Sequence, residues 1–117
     1  MIWSAITLFV LLAVPAFAQG HNHPRQDAQL HDQFYSTWMR PDQPNVSCCN
    51  KQDCAPAEAR FQEGLWWARR EVDGKWLPIP PWKIELNRGS PDGRNHLCVQ
   101  PPHLGNTVWC FVTGSGI

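Results

Sequence analysis

The second half of the chain shows the clearest alternation between apolar runs and turn residues. Runs at 65–71 and 75–79 flank Asp73-Gly74, a dipeptide that favours a two-residue hairpin turn. Loops rich in proline, glycine and asparagine separate three further runs, which lie at 82–86, 96–100 and 107–112. The pattern predicts five short strands that pair as hairpins in chain order.

A helical period precedes this β region. Leu30, Phe34 and Trp38 recur at every fourth position, which places them on one face of a helix. Asp27 is a suitable N-cap, and Pro41 disfavours helical backbone at the residue before it. Because a helix of this length is marginal alone, we expect its apolar face to dock on the sheet.

Together these patterns predict a mainly β fold with a minor α component (α+β). We expect a small antiparallel sheet or a partly open barrel of about five strands, with one N-terminal helix and stapling disulfides. We divide the chain into a signal peptide at 1–18, a flexible polar arm at 19–26 and a single small β-rich domain at 27–117.

The N-terminal segment has the features of an export signal. An apolar run at 6–14 precedes Ala16-Phe17-Ala18, the small-x-small pattern that signal peptidase recognises. The first four residues carry no Lys or Arg, which is unusual for a signal, and an uncleaved membrane anchor is the alternative. Spanning a bilayer takes about 20 apolar residues. We therefore predict cleavage after Ala18 and a periplasmic or secreted protein without a stable membrane span.

Charge narrows the range of partners. The 117 residues include 10 Lys plus Arg and 10 Asp plus Glu, so the formal net charge is zero. A neutral chain lacks the basic surface that a phosphate backbone requires, and we expect no nucleic-acid binding.

Five cysteines are the candidates for disulfide bonds: Cys48, Cys49, Cys54, Cys98 and Cys110. In an exported protein they would form two bridges and leave one thiol. Cys98 and Cys110 would lie opposite each other in a hairpin centred on Leu104, at a separation that a disulfide can span. The alternative, which we favour, joins one or both of them to the block at 48–54. Neighbouring residues of an extended segment point to opposite sides, so Cys48 and Cys49 should have different partners or environments.

The unpaired cysteine has three interpretations: a redox centre, a buried free thiol, or half of an intermolecular bridge in a disulfide-linked dimer. A copper site is a separate hypothesis. After cleavage, Gln19-Gly20-His21 would offer an amine, backbone amides and an imidazole to Cu(II), and His23 could assist. The alternative is a polar arm that binds no metal, and no other cofactor is indicated.

Aromatic and cationic residues supply the ligand-binding candidates. Indole rings stack on sugars or grip proline-rich peptides, and arginine pairs with anions or stacks on indoles. Most of the tryptophans should form the core, but those of the first hairpin and of the run at 82–86 cannot all face one interior. The candidates are Trp66, Trp67, Trp82, Arg69 and Arg70. An envelope protein and a glycan are both open as the ligand.

Catalytic groups are sparse. Asp92 and His96 lie close in sequence and Ser90 precedes them, which leaves a hydrolase as one hypothesis. Turn chemistry explains Asp92 and Gly93 equally well. We therefore predict that the protein is not an enzyme.

Three motifs carry a resemblance to a known family. They are Ser47-Cys48-Cys49-Asn50-x-x-Asp53-Cys54, Asp73-Gly74-x-Trp76-x-x-Ile79-Pro80 and Ser90-Pro91-Asp92-Gly93-Arg94-x-His96-x-Cys98, with Cys110-Phe111 near the end. On these motifs the chain resembles a family of small exported cysteine-rich bacterial proteins of unassigned function, from about residue 31 onward. The resemblance implies bacterial origin and export, and it carries over no catalytic residue.

The sequence thus predicts an exported, disulfide-stabilised, non-enzymatic binding or structural domain of the bacterial cell envelope. The alternative is a periplasmic redox or copper-handling protein that uses the unpaired cysteine and the N-terminal histidines.

Overall fold

The computed structural model describes residues 25–49 and 53–114. The predicted signal peptide, most of the predicted polar arm and the last residues, 115–117, lie outside this part of the chain. Within it, no helix is long and apolar enough to cross a membrane.

The described residues form one α-helix, two 3-10 turns and eight short strands. The helix α1 spans Arg25–Gln33, and the 3-10 turns span Tyr35–Thr37 and Pro81–Lys83. The strands are β1 (Met39–Arg40), β2 (Gln43–Ser47), β3 (Cys54–Pro56), β4 (Ala59–Gln62), β5 (Leu65–Arg69), β6 (Trp76–Pro78), β7 (His96–Val99) and β8 (Val108–Val112).

These strands form three small antiparallel sheets. One sheet is the β1–β2 hairpin, the second has the order β3-β7-β8 and the third has the order β4-β5-β6. We call the second the cysteine sheet and the third the tryptophan sheet. The predicted mainly β class with one short helix is confirmed, and the described strands do not close into a barrel.

The cysteine sheet separates two apolar cores. On one face, Cys54, Cys98 and Cys110 stand in a row across three strands, because Cys98 is the register partner of both others. This face packs against the segment around α1, including the buried side chains of Tyr35 and Trp38. The row of sulfur atoms therefore lies beneath the helical segment rather than at the surface.

The opposite face of the cysteine sheet packs on the tryptophan sheet. Leu97 and Phe111 from the first meet Ala68 and Leu77 from the second, and Ile79 joins them just after β6. All five are almost fully buried. The alternation of inward and outward side chains along each strand produces this two-layer arrangement.

The predicted buried face of the helical segment is confirmed, but the predicted ends of the helix are wrong. Leu30, Phe34 and Trp38 are buried, as their spacing predicted. However, α1 begins at Arg25, ahead of the predicted cap at Asp27, and ends at Gln33. Trp38 is reached through the 3-10 turn and therefore packs on the core from outside the helix.

The strand prediction succeeds for β5 to β8 and fails elsewhere. The four matching strands are shorter than predicted. The run at 82–86 is not a strand, because Pro80 and Pro81 start a 3-10 turn and leave only one bridge, between Ile84 and Phe111. The strands β1 to β4 were not predicted. Two of them contain proline, Pro44 in β2 and Pro56 in β3, which ordinarily argues against a strand.

Two disulfides tie the cysteine block to the cysteine sheet. Cys48 bonds to Cys110 and Cys54 bonds to Cys98, so the favoured arrangement is confirmed and the Cys98–Cys110 bridge does not form. Cys49 is the free cysteine. The expectation that Cys48 and Cys49 differ in partner is also confirmed.

Candidate functional site

A cleft of about 740 Å³ opens between the cysteine sheet and the tryptophan sheet, along β3. Leu97 and Val99 lie at its floor, since they are almost fully buried, and Ala55 and Ala57 line the wall formed by β3 and the residue after it. Two lips border the opening: 69–72 at the end of β5, and 101–104 in the loop between β7 and β8. We call this the β3 cleft. Its lining is mainly apolar, as is usual for ligand sites.

Each lip of the β3 cleft carries a large exposed apolar side chain. Val72 is 76% exposed and Leu104 is 63% exposed. Scattered exposed apolar residues are ordinary, but these two border the same opening above an apolar floor. The arrangement suits a partner that buries both lips.

Arg70 fixes the two lips relative to each other. Its side chain is 4% exposed, and the guanidinium donates to both carboxylate oxygens of Asp73, at 3.0 and 2.8 Å, in the turn after β5. It also donates to the Gln100 carbonyl at 3.1 Å, the Gly105 carbonyl at 2.8 Å and Asn106 Oδ1 at 2.9 Å. Hydrogen bonds from Arg70 lower the pKa of Asp73 to about 2. One buried cation thus holds the turn of the tryptophan sheet against the loop of the cysteine sheet.

Two carboxylates around the β3 cleft form no ion pair with any residue that the structure describes. Arg70 is neutralised by Asp73, and Arg69 lies 3.9 Å from Glu58. Asp53 and Glu71 also line the cleft, and neither side chain has a hydrogen bond or ion pair with another described residue. Burial raises the pKa of Asp53. The cleft therefore has an acidic rim over an apolar floor.

The outer edge of β3 presents more hydrogen-bond acceptors than donors. Ala57 donates its N–H to Asn95, and Asp53 accepts from Val99, so the odd-numbered residues face β7. Successive residues alternate in a ladder, so the backbone groups of Cys54 and Pro56 face away from the sheet. Proline has no N–H, so Cys54 supplies the one outward N–H of β3. Neither outward carbonyl accepts a backbone hydrogen bond from another residue that the structure describes.

The free thiol of Cys49 lies beside this edge. Burial raises the pKa of Cys49, although N–H groups of Cys54 and Asp53 donate to the sulfur and partly offset the effect. The side chain is half-buried. A thiol with a raised pKa is a poor nucleophile near neutral pH, because little thiolate is present.

The structure divides the five predicted ligand-binding residues among different places. Arg69 and Arg70 line the β3 cleft, but Arg70 uses its donors within the chain. Trp66 faces the inter-sheet core, with its ring centroid 5.7 Å from that of Phe111. Trp82 is 64% exposed on the second 3-10 turn and lies outside the β3 cleft.

Trp67 and Arg69 lie on the outer face of the tryptophan sheet. Their register partners on that face are Arg60 and Trp76, and the Arg60 guanidinium stacks 4.3 Å from the centre of the Trp76 ring. The chain's own arginine thus covers one ring face, which reduces the area left for a sugar. Sequence reasoning did not include Arg60 or Trp76, because their contact depends on the three-strand register.

The predicted Asp92–His96 pair belongs to a buried network. His96 is fully buried and bridges the Tyr35 hydroxyl and Asp92 Oδ1, each at 2.7 Å. Partial burial by itself would raise the pKa of Asp92, but hydrogen bonds from His96 and Arg94 outweigh it and hold the pKa below its ordinary range. The Ser90 hydroxyl lies 2.6 Å from the Arg94 carbonyl, an acceptor that does not activate it as a nucleophile. The network connects the segment after α1 to the loop before β7.

The structure offers no support for a metal site in the part of the chain it describes. No group of three or more His, Cys, Asp or Glu side chains there is arranged to hold an ion. His21 and His23, the residues of the copper hypothesis, lie outside the described residues.

Comparison with protein-family models, with curated proteins and with solved structures gave no match. The resemblance to small exported cysteine-rich bacterial proteins therefore stays a prediction that rests on the three motifs.

Proposed function

We propose that this protein is exported and acts as a non-enzymatic binding domain of the bacterial cell envelope, with its partner held in the β3 cleft. One observation carries the proposal. The cleft has an apolar floor and two exposed apolar lips, and a buried arginine holds the lips in place. A preformed cleft of this kind lowers the entropic cost of binding.

A protein partner fits the β3 cleft better than a glycan does. Sugars are usually bound by exposed aromatic rings, and no tryptophan is among the residues lining this cleft. Apolar side chains from another protein would instead bury Val72 and Leu104, the two exposed residues of the lips.

The first experiment tests export. The full chain, expressed in a bacterium, is followed by cell fractionation and by N-terminal sequencing of the product. We expect the protein in the periplasm or medium, beginning at Gln19, with its two bridges intact. An uncleaved chain that stays in the cytoplasm would contradict the envelope role.

The second experiment tests the cleft. A photoreactive amino acid placed at exposed Leu104 should crosslink a specific envelope protein. We expect Ala55→Trp, which fills the cleft from β3, to reduce the crosslinked yield at least about tenfold, the equivalent of 1.4 kcal/mol. The matched control Gln62→Trp adds the same ring on exposed β4 and should leave the yield unchanged. Equal yields in both variants would show that the partner binds elsewhere.

The free Cys49 keeps the redox or copper-handling alternative testable. Native thiol titration should find one thiol that reacts slowly, since burial raises the pKa of Cys49. The mature protein should neither bind Cu(II) at its N-terminus nor form a disulfide-linked dimer. Fast alkylation near neutral pH, together with copper binding that is lost in His21→Ala, would favour the alternative.

A further inference from the structure

We propose that the β3 cleft takes an extended peptide segment of a partner protein, which adds to β3 as a new antiparallel edge strand. The segment's apolar side chains enter the cleft, and a Lys or Arg faces Asp53 and Glu71. This inference rests on the proposed function and names the kind of partner and the binding mode.

The backbone of β3 supports strand addition. The strand lies at the edge of the cysteine sheet, and its outward carbonyls, those of Cys54 and Pro56, are two residues apart. An antiparallel strand places N–H donors opposite such a pair of acceptors. A partner segment can therefore gain two backbone hydrogen bonds without any rearrangement of β3.

Side-chain alternation brings the same segment into the cleft. Ala55 pairs with Leu97, and both side chains lie on the face that lines the cleft. In an added strand, the residue opposite Ala55 points to this face, while the residues that bond to Cys54 and Pro56 point to the other. The small side chain of Ala55 leaves room for a large apolar residue from the partner.

The charges of the rim determine which segment is favoured. Asp53 and Glu71 have no compensating cation among the described residues, whereas Arg69 and Arg70 are each beside a carboxylate. His103, on the opposite lip, is exposed. A basic residue in the partner would neutralise the unpaired carboxylates, and an acidic one would be repelled.

The same edge disfavours a second copy of this chain as the occupant. Two β3 strands brought edge to edge would each offer only one outward N–H, that of Cys54, against two outward carbonyls, because Pro56 has none. Proline in an edge strand is a known protection against self-association. A foreign segment with ordinary backbone N–H groups meets no such obstacle.

The probes are decapeptides. They are selected from a random displayed library for binding to the full, oxidised chain and are then synthesised. We expect them to share alternating apolar residues and at least one Lys or Arg. We number as i and i+2 the two peptide residues whose N–H groups bond to Cys54 and Pro56. Methylation of either of these backbone nitrogens should weaken binding about tenfold, since a lost hydrogen bond is worth about 1–1.5 kcal/mol. Methylation of the nitrogen between them should change the affinity by less than about threefold. Truncation of the apolar side chain at i+1 should also weaken binding.

Variants of the protein test the acidic rim. Asp53→Asn combined with Glu71→Gln should weaken a Lys- or Arg-containing decapeptide about tenfold, whereas Asp32→Asn, an exposed carboxylate on α1, should have no effect. Replacing the peptide's basic residue with Gln should abolish the difference between the variants.

The outcomes separate this inference from the proposed function. Peptides that are blocked by Ala55→Trp but show no alternation in the methylation scan would overturn strand addition and leave the cleft as a binding site. Failure to select any peptide, with the Leu104 crosslink still sensitive to Ala55→Trp, would overturn the inference alone. A crosslink at Leu104 that is insensitive to Ala55→Trp would overturn both the inference and the proposed function. Concentration-dependent dimerisation through β3 would show that the occupant is a second copy of this chain and would overturn the foreign segment.

Discussion

The carboxylate of Asp73 shows how one residue couples stability to pH. It accepts two hydrogen bonds from Arg70, which lower the pKa of Asp73 to about 2. An aspartate in an unfolded chain titrates near 3.9, so the folded chain binds this proton less readily. The stabilisation is therefore complete above about pH 5 and is lost as the pH falls through 4 toward 2.

This coupling predicts the behaviour of Asp73→Asn. The variant should be less stable than the wild type at neutral pH, and the difference should shrink as the pH falls toward 2, because the wild-type carboxyl becomes protonated. Urea unfolding between pH 2 and 7 measures the effect. Asp32→Asn, which removes an exposed carboxyl without an ion pair in the described chain, is the control. Parallel pH profiles for Asp73→Asn and wild type would contradict the assignment.

Arg70 also acts between structural elements. Its side chain lies on the same strand face as Trp66 and Ala68 and is almost fully buried. The sequence did not indicate its acceptors, because Gln100, Gly105 and Asn106 lie 30 or more positions away. A residue proposed as a ligand-binding cation instead connects two loops.

Replacing Arg70 should therefore disturb both loops at once. We expect Arg70→Ala to lower the free energy of unfolding by about 1–3 kcal/mol, because the carbonyls of Gln100 and Gly105 lose their donor. The matched control is Arg69→Ala. Because the Arg69 side chain is 40% exposed, this variant should change the free energy of unfolding by no more than about 0.5 kcal/mol. Urea unfolding gives the energies. Hydrogen exchange should show faster opening of both loops in Arg70→Ala, and equal stability of the two variants would contradict the bracing role.

The predicted and observed elements differ at segments where proline restricts the backbone conformation. The hairpin β5–β6 was predictable, since Asp73-Gly74 marks its turn and apolar residues alternate on each side. The strands β2 and β3 were not, because Pro44 and Pro56 lie in edge strands whose proline nitrogens need no partner. The run at 82–86 was wrongly predicted as a strand from its apolar residues, because Pro81 just before it begins a 3-10 turn.

The β3 cleft was beyond prediction from the chain alone. Sequence patterns assign residues to faces of a strand, but the cleft depends on how far the tryptophan sheet covers the cysteine sheet. Val72 and Leu104 looked like ordinary turn and loop residues, and only their positions on opposite lips make them distinctive.

At the scale of the whole molecule, the two bridges are nested. Cys48–Cys110 closes a separation of 62 residues and Cys54–Cys98 closes one of 44 within it. Both sulfur pairs lie in the core beneath the helical segment. The chain-entropy estimate gives about 4 kcal/mol for each bridge, against a total stability of about 5–15 kcal/mol for a typical domain.

This balance predicts that the domain depends on oxidation. One bridge is removed by the pair Cys48→Ser and Cys110→Ser, and the other by the pair Cys54→Ser and Cys98→Ser. Loss of either bridge should lower the free energy of unfolding by about 2–5 kcal/mol. Loss of both should unfold the domain. Cys49→Ser is the control and should cost less than about 1 kcal/mol, since Cys49 is unpaired. Circular dichroism during urea titration, with and without reductant, measures each case. A reduced protein that stays folded would contradict the prediction.

The nesting also sets an order of events during synthesis. Cys48, Cys49 and Cys54 emerge before either of their distant partners, and Cys98 follows Cys54 by 44 residues. At synthesis rates of about 5–20 residues per second, this delay is about 2–9 seconds. Oxidation in that interval can join only the three early cysteines, and none of those pairs occurs in the folded protein. The folded pairing therefore requires either that Cys54 stays reduced until Cys98 has emerged and Cys48 until Cys110 has emerged, or that thiol–disulfide exchange rearranges an early bridge, and Cys49 is the thiol left free in the folded protein.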